Sequence, residues 1–247
     1  MKKKRLAVLS DIHGNSWALQ AVLDDIKTKN IDDIFNLGDS LYGPLDPWGT
    51  FDLLSKQTIM SIAGNEDRLI VESYGSNQVY ETLDIVYRQI DENIRQWLQS
   101  LEKTIIAEEC FLCHGTPQRD DQYLFEKVTT QGLRMKDQGE LLEEVKDIRQ
   151  RVICCGHSHV SHAITLDTGT LIVNPGSVGC PAYTDDVPYP HIMEAGRPHA
   201  SYAILSFNGE TVFVEPVAVP YDWDAAARCA KHHGREDWAK WLTTGKT

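Results

Sequence analysis

Apolar positions along this chain change period several times, and the changes mark its elements. From Lys4 to Ser10 the run KRLAVLS is almost continuously apolar, as in a strand buried on both faces. Ala18, Leu19, Val22, Leu23 and Ile26 then recur at helical spacing. Asp33 to Leu37 and Thr58 to Ala63 predict a second and a third strand, entering Gly38 and Gly64. Strand, helix, strand, helix, strand in this order predicts a parallel sheet with helices on its face. From about Gln78 to Leu101 the apolar positions Leu83, Val86, Ile90, Ile94, Trp97 and Leu98 fall at helical intervals, so this stretch is expected to be helical packing material.

Further along, Thr104 to Ala107 and Cys110 to Cys113 flank Glu108-Glu109 and predict a hairpin. A polar stretch from Thr116 to Phe125 precedes a predicted helix near Thr130 to Gln150, and Arg151 to Cys155 predicts the next strand. Val160 to Leu166, Leu171 to Val173, Ser201 to Phe207 and Thr211 to Val217 follow as strands. Asp167-Thr168-Gly169-Thr170 and Asn208-Gly209-Glu210 supply turns between them. The stretch of about 179–200 carries Pro181, Pro188, Pro190 and Pro198 with Tyr183 and Tyr189, and predicts a long ordered loop placed to cover a pocket. A helical segment is expected at about 222–244. With no internal repeat and no low-complexity linker, residues 1–247 are expected to form a single domain.

Composition changes little here, since 42% hydrophobic and 24% charged residues are ordinary for a globular chain. Charge changes more. A net charge of -12 with a pI near 5.1 argues against general affinity for nucleic acid or anionic membrane. An anionic substrate then needs a local positive source, and bound divalent cations are one. The basic run Lys2 to Arg5 is followed by only Leu6 to Leu9 before Ser10-Asp11, too short for a secretory core or a bilayer span. A cytoplasmic protein with no membrane partner is expected, and six cysteines in a chain of this size agree with that. Cys110-Phe111-Leu112-Cys113 fits a redox or zinc pattern. It lies in an apolar run without a second pair, so both thiols are expected as buried small hydrophobes.

Candidate chemistry sits where predicted strands end. Leu6 to Ser10 delivers Asp11-Ile12-His13, Ile34 to Leu37 delivers Gly38-Asp39, Thr58 to Ala63 delivers Gly64-Asn65, Phe111 to Cys113 delivers His114, and Val152 to Cys155 delivers His157 and His159. Ligand crevices in open α/β sheets form at the carboxyl ends of strands, so these groups can converge. Asp, Asn and His together form the oxygen and imidazole set that suits manganese, iron, nickel or zinc. Asp-x-His and His-x-His put both members on one side of an extended segment. Taken singly, Asp39 reads equally as a helix cap and Asn65 as a turn residue. Five such strand ends in one chain point instead to a shared metal site.

Asp11-Ile12-His13-Gly14-Asn15, Gly38-Asp39, Gly64-Asn65-Glu66-Asp67, His114-Gly115 and Gly156-His157-Ser158-His159 resemble the signature segments of the calcineurin-like metallophosphoesterase superfamily. Asn174-Pro175-Gly176-Ser177-Val178-Gly179 resembles its small bacterial and archaeal branch, and the likeness runs from Asp11 to about Pro181. The resemblance implies an α/β fold, a four-layer αββα sandwich of two mixed β-sheets flanked by helices, with a dinuclear metal centre at the strand ends. It implies that Asp11, His13 and His159 bind one ion, that Asn65, His114 and His157 bind the other, and that Asp39 bridges them. Manganese is the first expectation for the two divalent ions, with iron, nickel or zinc as alternatives. A hydroxide between the ions is then the nucleophile, and Asp39, Asn65, Glu66 and His114 are the catalytic candidates.

One position departs from the pattern. Many members of the superfamily carry His after the Gly-Asn pair, where this chain has Glu66. Either a carboxylic acid of raised pKa protonates the leaving group, or another residue does, or the leaving group needs little help. The remaining basic groups fall outside the ligand set. His162 is expected beside the site or in plain structure, His232-His233 at the surface, and Arg119 and Arg197 in loops able to face the site.

The expected function is therefore hydrolysis of a small phosphodiester, nucleotide or phosphoanhydride, such as a dinucleoside polyphosphate, by a metal-dependent phosphoric ester hydrolase. Two other readings use the same fold. One is a non-catalytic scaffold that binds protein partners. The other is a nuclease, for which the acidic charge leaves only short oligonucleotides as substrates. A homo-oligomer is compatible with each of these.

Overall fold

A computed structural model describes residues 4–76, 81–107 and 109–247. In chain order its first half runs β1 (Lys4–Leu9), α1 (Ser16–Lys27), β2 (Asp33–Asn36), α2 (Pro47–Ser55), β3 (Ile59–Ser61), α3 (Asn65–Glu72), α4 (Glu81–Tyr87), α5 (Glu92–Ser100), β4 (Thr104–Ala107) and β5 (Cys110–Cys113). The second half runs β6 (Glu126–Thr129), β7 (Gly132–Met135), α6 (Gln138–Val145), β8 (Val152–Cys154), β9 (His162–Thr165), β10 (Leu171–Asn174), β11 (Ala182–Asp185), β12 (His191–Glu194), β13 (Ala200–Asn208), β14 (Thr211–Val219), α7 (Trp223–His232) and α8 (Glu236–Thr244).

Two five-stranded sheets carry the molecule, in the orders β14-β13-β1-β2-β3 and β4-β5-β8-β10-β9. Both are mixed: β1, β2 and β3 run parallel while β13 pairs antiparallel to β1, and β5, β8 and β10 run parallel between antiparallel β4 and β9. Strand parity decides what each face meets. Leu6 and Val8 of β1 turn toward Leu112, Val152 and Val173 of the second sheet, while Ala7 and Leu9 turn toward Leu19, Val22 and Leu23 of α1. On the far side of the second sheet, Cys113, Ile153 and Ile172 pack against Leu141 and Val145 of α6. The layers are thus helix, sheet, sheet, helix, as the sequence led us to expect. Each fully buried Leu or Val contributes about 1.5–3 kcal/mol relative to exposure. Cys110 and Cys113 face opposite sides of β5, in different apolar clusters, and every cysteine is free.

Three segments differ from their sequence expectation. The stretch expected as one helical region up to Leu101 is two helices, because Asp91 starts α5 anew by accepting a hydrogen bond from Ile94 N (2.9 Å); residues 78–80 lie outside the described residues. The predicted helix over 130–150 begins only at Gln138, where Asp137 caps it. Before it, β6 and β7 form a hairpin that turns at Gly132 with φ +110°, a conformation open to glycine. The 179–200 stretch is not an open loop but holds the hairpin β11–β12, whose Ala182 and Met193 are buried. Among the described residues no helix is long and apolar enough to cross a membrane.

Candidate metal centre

The loops that leave β1, β2 and β8 adopt a backbone that few side-chain-bearing residues take. Asp11 (φ 56°), His13 (53°), Asp39 (52°), His157 (68°) and His159 (60°) are all left-handed, and the one other such non-glycine residue described is Asn30. Each costs about 1–3 kcal/mol, so the surrounding contacts must hold it. They do so by stitching the loops together: Asp11 N donates to Gly38 O (3.0 Å), His13 N to Asp39 O (2.9 Å) and Gly14 N to Ser40 O (2.9 Å). Glycine precedes three candidate ligands for steric reasons. A Cβ on Gly64 would enter the Asp39 carboxylate, and one on Gly156 would meet Ser10 Oγ and come within 2.9 Å of Asp11 Oδ2.

These loops, with the end of β5, bring six of the seven expected ligands into two clusters. Asp11, His13 and His159 form one cluster and Asp39, His114 and His157 a second, with the ligating atoms of each cluster within 4.8 Å of one another. His13, Asp39 and Glu66 form a third combination, so Asp39 and His13 belong to overlapping sets. His159 Nε2 lies 3.3 Å from Asp11 Oδ1, and His114 Nε2 lies 3.2 Å from Asp39 Oδ2. Asn65, at the first position of α3, lines the cavity above these clusters.

Three histidines are oriented by backbone carbonyls. Nδ1 of His13 donates to Tyr42 O (2.9 Å), Nδ1 of His114 to Leu37 O (2.8 Å) and Nδ1 of His159 to Cys180 O (2.6 Å). That leaves each Nε2 directed at the clusters, the tautomer a metal-binding imidazole needs. His13 Nε2 and His159 Nε2 face each other at 3.0 Å, which two lone pairs tolerate only with a proton or a cation between them. Asp11 Oδ1, Asn65 Oδ1 and His114 Nε2 are buried with no hydrogen-bond partner. Buried polar atoms are rarely left so, and this donor set fits a divalent cation in each cluster.

Electrostatics divides the histidines. Burial pushes His157 down to about 4, helped by the neighbouring His114, and burial lowers His159 as well. Burial also opposes charge on His13 and His114, but Glu66 raises His13 to about 9 and Asp39 raises His114 to about 10. Burial likewise works against the carboxylates, yet the His159 imidazole holds Asp11 at about 2, and His114 holds Asp39 below the usual carboxylate range. The carboxylates thus favour the charged form of His13 and His114, and a cation placed in either cluster would compete with those protons.

Glu66 donates its backbone N–H to Asp39 Oδ1 (2.8 Å) and sets its carboxyl 3.2 Å from His13 Nδ1. Burial drives this carboxyl up to about 7. Beneath it, Asp67 accepts from Ser40 N (3.0 Å) and Gly64 N (3.1 Å), and so ties the Asp39 loop to the Asn65 loop. The supporting role of Asp67 lay in a quoted segment but had no sequence signal separating it from a solvated acid.

A cavity of about 300 Å³ opens above the clusters, near the small end of ligand sites. Its walls include Tyr42, Tyr183, Arg235, Trp238 and Trp241, of which only Tyr183 was a sequence candidate. His162 stays outside the clusters, half-exposed on β9 with Nε2 3.8 Å from Glu126. Of the two arginines in loops able to face the site, Arg119 pairs with Asp121 (2.9 Å) in a separate depression that reaches His114, and Arg197 packs against Gly245. His232 is exposed as expected, whereas His233 is half-buried, with Nδ1 2.8 Å from Pro44 O.

The model of the calcineurin-like phosphoesterase superfamily domain matches residues 5–207. The uncharacterized protein MJ0912 of Methanocaldococcus jannaschii is 28% identical over 90% of each chain. A metallophosphoesterase from Sphaerobacter thermophilus, 24% identical, superposes with a TM-score of 0.76 over 98% of this chain and 99% of its own. A putative diadenosine tetraphosphatase, 19% identical, shares the fold at a TM-score of 0.52 over 86% of this chain and 93% of its own. With its sandwich of two mixed sheets and a ligand cluster at the strand ends, the chain belongs to the calcineurin-like phosphoesterase superfamily.

Proposed function

We propose that this protein is a two-metal hydrolase of a small phosphodiester, nucleotide or phosphoanhydride, working as one unit over residues 1–247. The observation that carries this is the convergence of buried Asp11, Asn65 and His114 atoms that make no well-formed hydrogen bond, gathered under a cavity of about 300 Å³. Asp11, His13 and His159 would hold one ion, Asn65, His114 and His157 the other, and Asp39 both. Two such cations, manganese by preference, would supply Lewis acidity to the phosphoryl oxygens and acidify a water for attack at neutral pH.

The remaining work falls to the chain. The backbone carbonyls of Tyr42, Leu37 and Cys180 fix the imidazoles, so little reorganisation is needed during reaction. Glu66, a cavity wall pinned through its own N–H to Asp39, is placed to hand a proton to the leaving oxygen in the role His fills in many relatives. The small cavity and the net charge of -12 favour a compact substrate over a polynucleotide. Six unpaired thiols suit a reducing compartment, and we place the activity in the cytoplasm.

The test is hydrolysis of bis(p-nitrophenyl) phosphate and a panel of nucleotides with manganese added. Asp39→Asn is expected to abolish turnover, and metal analysis is expected to return two ions per chain. Bound metal with no turnover on any phosphoester would sink the proposal.

A further inference from the structure

The helices α7 and α8 lie beyond residue 207, outside the stretch that the superfamily model matches, yet α8 walls the metal cavity. Trp238 stands edge-on to the candidate ligand His13, with ring centroids 5.9 Å apart at 71°, and against Trp241 at 5.7 Å. Cavity and helix are locked together at His233, whose Nδ1 reaches Pro44 O at 2.8 Å, and at Gly43, where a Cβ would crowd the Trp238 ring. Ahead of α8 sits Arg235, the one arginine or lysine among the residues lining this cavity. Its other ionisable walls are Asp39, Glu66, Asp185, Tyr42, Tyr183, Cys180 and three histidines.

Arg235 is held in place but not exhausted. Its Nε and Nη2 donate to Asp237 (3.0 and 2.7 Å), and Nη1 donates to Thr82 Oγ1. A guanidinium carries five N–H groups, so two remain for a ligand. The Asp237 pair sits at the solvent side, with that carboxylate 43% exposed against 17% for Arg235, and so orients the fork while leaving its charge near the cavity. The guanidinium also lies 5.9 Å from the Trp238 ring centroid, so a fixed positive charge and the indoles that line the cavity are neighbours.

We propose that Arg235 is a specificity-determining residue that binds a second, non-scissile anionic group of the substrate, with Trp238 and Trp241 facing its aromatic part. The substrate class is then a small nucleotide-like phosphodiester with a phosphate or equivalent anion besides the one cleaved. This rests on the phosphoesterase reading above. The Nε–Nη2 edge is taken by Asp237, so the anion is met by the remaining N–H groups of Nη1 and Nη2, as charge-assisted hydrogen bonds from a guanidinium already held in place.

Thymidine 5′-(p-nitrophenyl phosphate) and its 3′-phosphorylated counterpart share base, scissile bond and leaving group, and differ by one anion. On the manganese-loaded protein the 3′-phosphate is expected to lower KM about tenfold, the scale of one charge-assisted hydrogen-bonded contact. R235Q is expected to bring the ratio of the two KM values to about one, and R235K to restore part of the difference. D237N, which removes the competing carboxylate, is expected to widen it. An unchanged ratio in R235Q, or a wild-type protein indifferent to the 3′-phosphate, overturns the assignment. Binding is read independently as the change in tryptophan fluorescence on titrating thymidine 3′,5′-bisphosphate, expected to saturate in the wild type and to weaken about tenfold in R235Q. If neither ester is hydrolysed, that result counts against the phosphoesterase reading and not against Arg235, on which the titration still decides. A flat titration in the wild type removes the Arg235 assignment whatever the turnover.

Discussion

The floor and the wall of the cavity are built on opposite principles. The floor is five strand ends, with candidate ligands in left-handed conformations, glycines packed against carboxylates and imidazoles pinned by carbonyls. The wall is α8, an ordinary amphipathic helix whose Trp238, Ala239, Trp241 and Leu242 pack on α7. In the floor a displacement of a few tenths of an ångström disturbs several ligands at once, because backbone and ligand are the same object. In the wall the backbone merely carries side chains, so a substitution alters what the cavity binds and leaves the clusters intact.

The sharpest way to break this contrast is Gly64→Ala. The new Cβ meets the Asp39 carboxylate, and misplacement by about 1 Å costs on the order of a hundredfold in rate. We expect a loss of aryl diesterase activity of at least that size together with loss of both ions, measured by elemental analysis. Next in size, His157→Ala or His159→Ala should each leave one ion per chain, while His162→Ala should leave two. Equal metal loss in all three would erase the distinction between clusters and surroundings. On the wall, Trp241→Ala should cost about 3–5 kcal/mol in denaturant unfolding, as a buried aromatic truncation does. Metal content should stay at two ions per chain, and its loss would show that the wall is part of the floor.

The smallest expected effect is on pH-dependent stability. Glu126 is buried, bonded through Oε1 to Ser158 Oγ (3.1 Å), with Oε2 partnerless, and it faces His162 Nε2 at 3.8 Å and the attractive charge of Lys136. Burial raises its carboxyl from 4.5 to about 7. A raised folded-state value means that its contribution is complete below about pH 4.5 and is lost as pH rises through about 7. Wild-type stability should fall across that window by about 3 kcal/mol relative to Glu126→Gln. Parallel melting curves for the two proteins from pH 4.5 to 8 would falsify this.

The convergence of the floor was legible in the sequence because each candidate ligand follows an apolar run that reads as a strand. Gly38-Asp39, Gly64-Asn65 and His157-Ser158-His159 are local patterns, and topology alone brings them together. The wall was not legible, since Arg235 and Trp238 are far in sequence from the site and look like any helix start. Local misreadings had local causes. Between Glu126 and Met135 each strand spans only four residues on either side of Thr130-Gln131, too short a signal against the helical pattern beyond it. In 179–200 the prolines hid a hairpin whose Tyr183 hydroxyl bonds Tyr123 (2.7 Å) and the His157 carbonyl (2.9 Å).

The left-handed ligands have an evolutionary consequence. At about 1–3 kcal/mol each, five of them together rival the whole stability of a typical domain. Selection for heat tolerance or expression alone, blind to catalysis, would therefore find its quickest gains by turning Asp11, His13, Asp39, His157 and His159 into glycine or asparagine. A lineage released from its substrate should lose these five positions before it loses anything in the sheets, and the order of that decay would record what the residues were for.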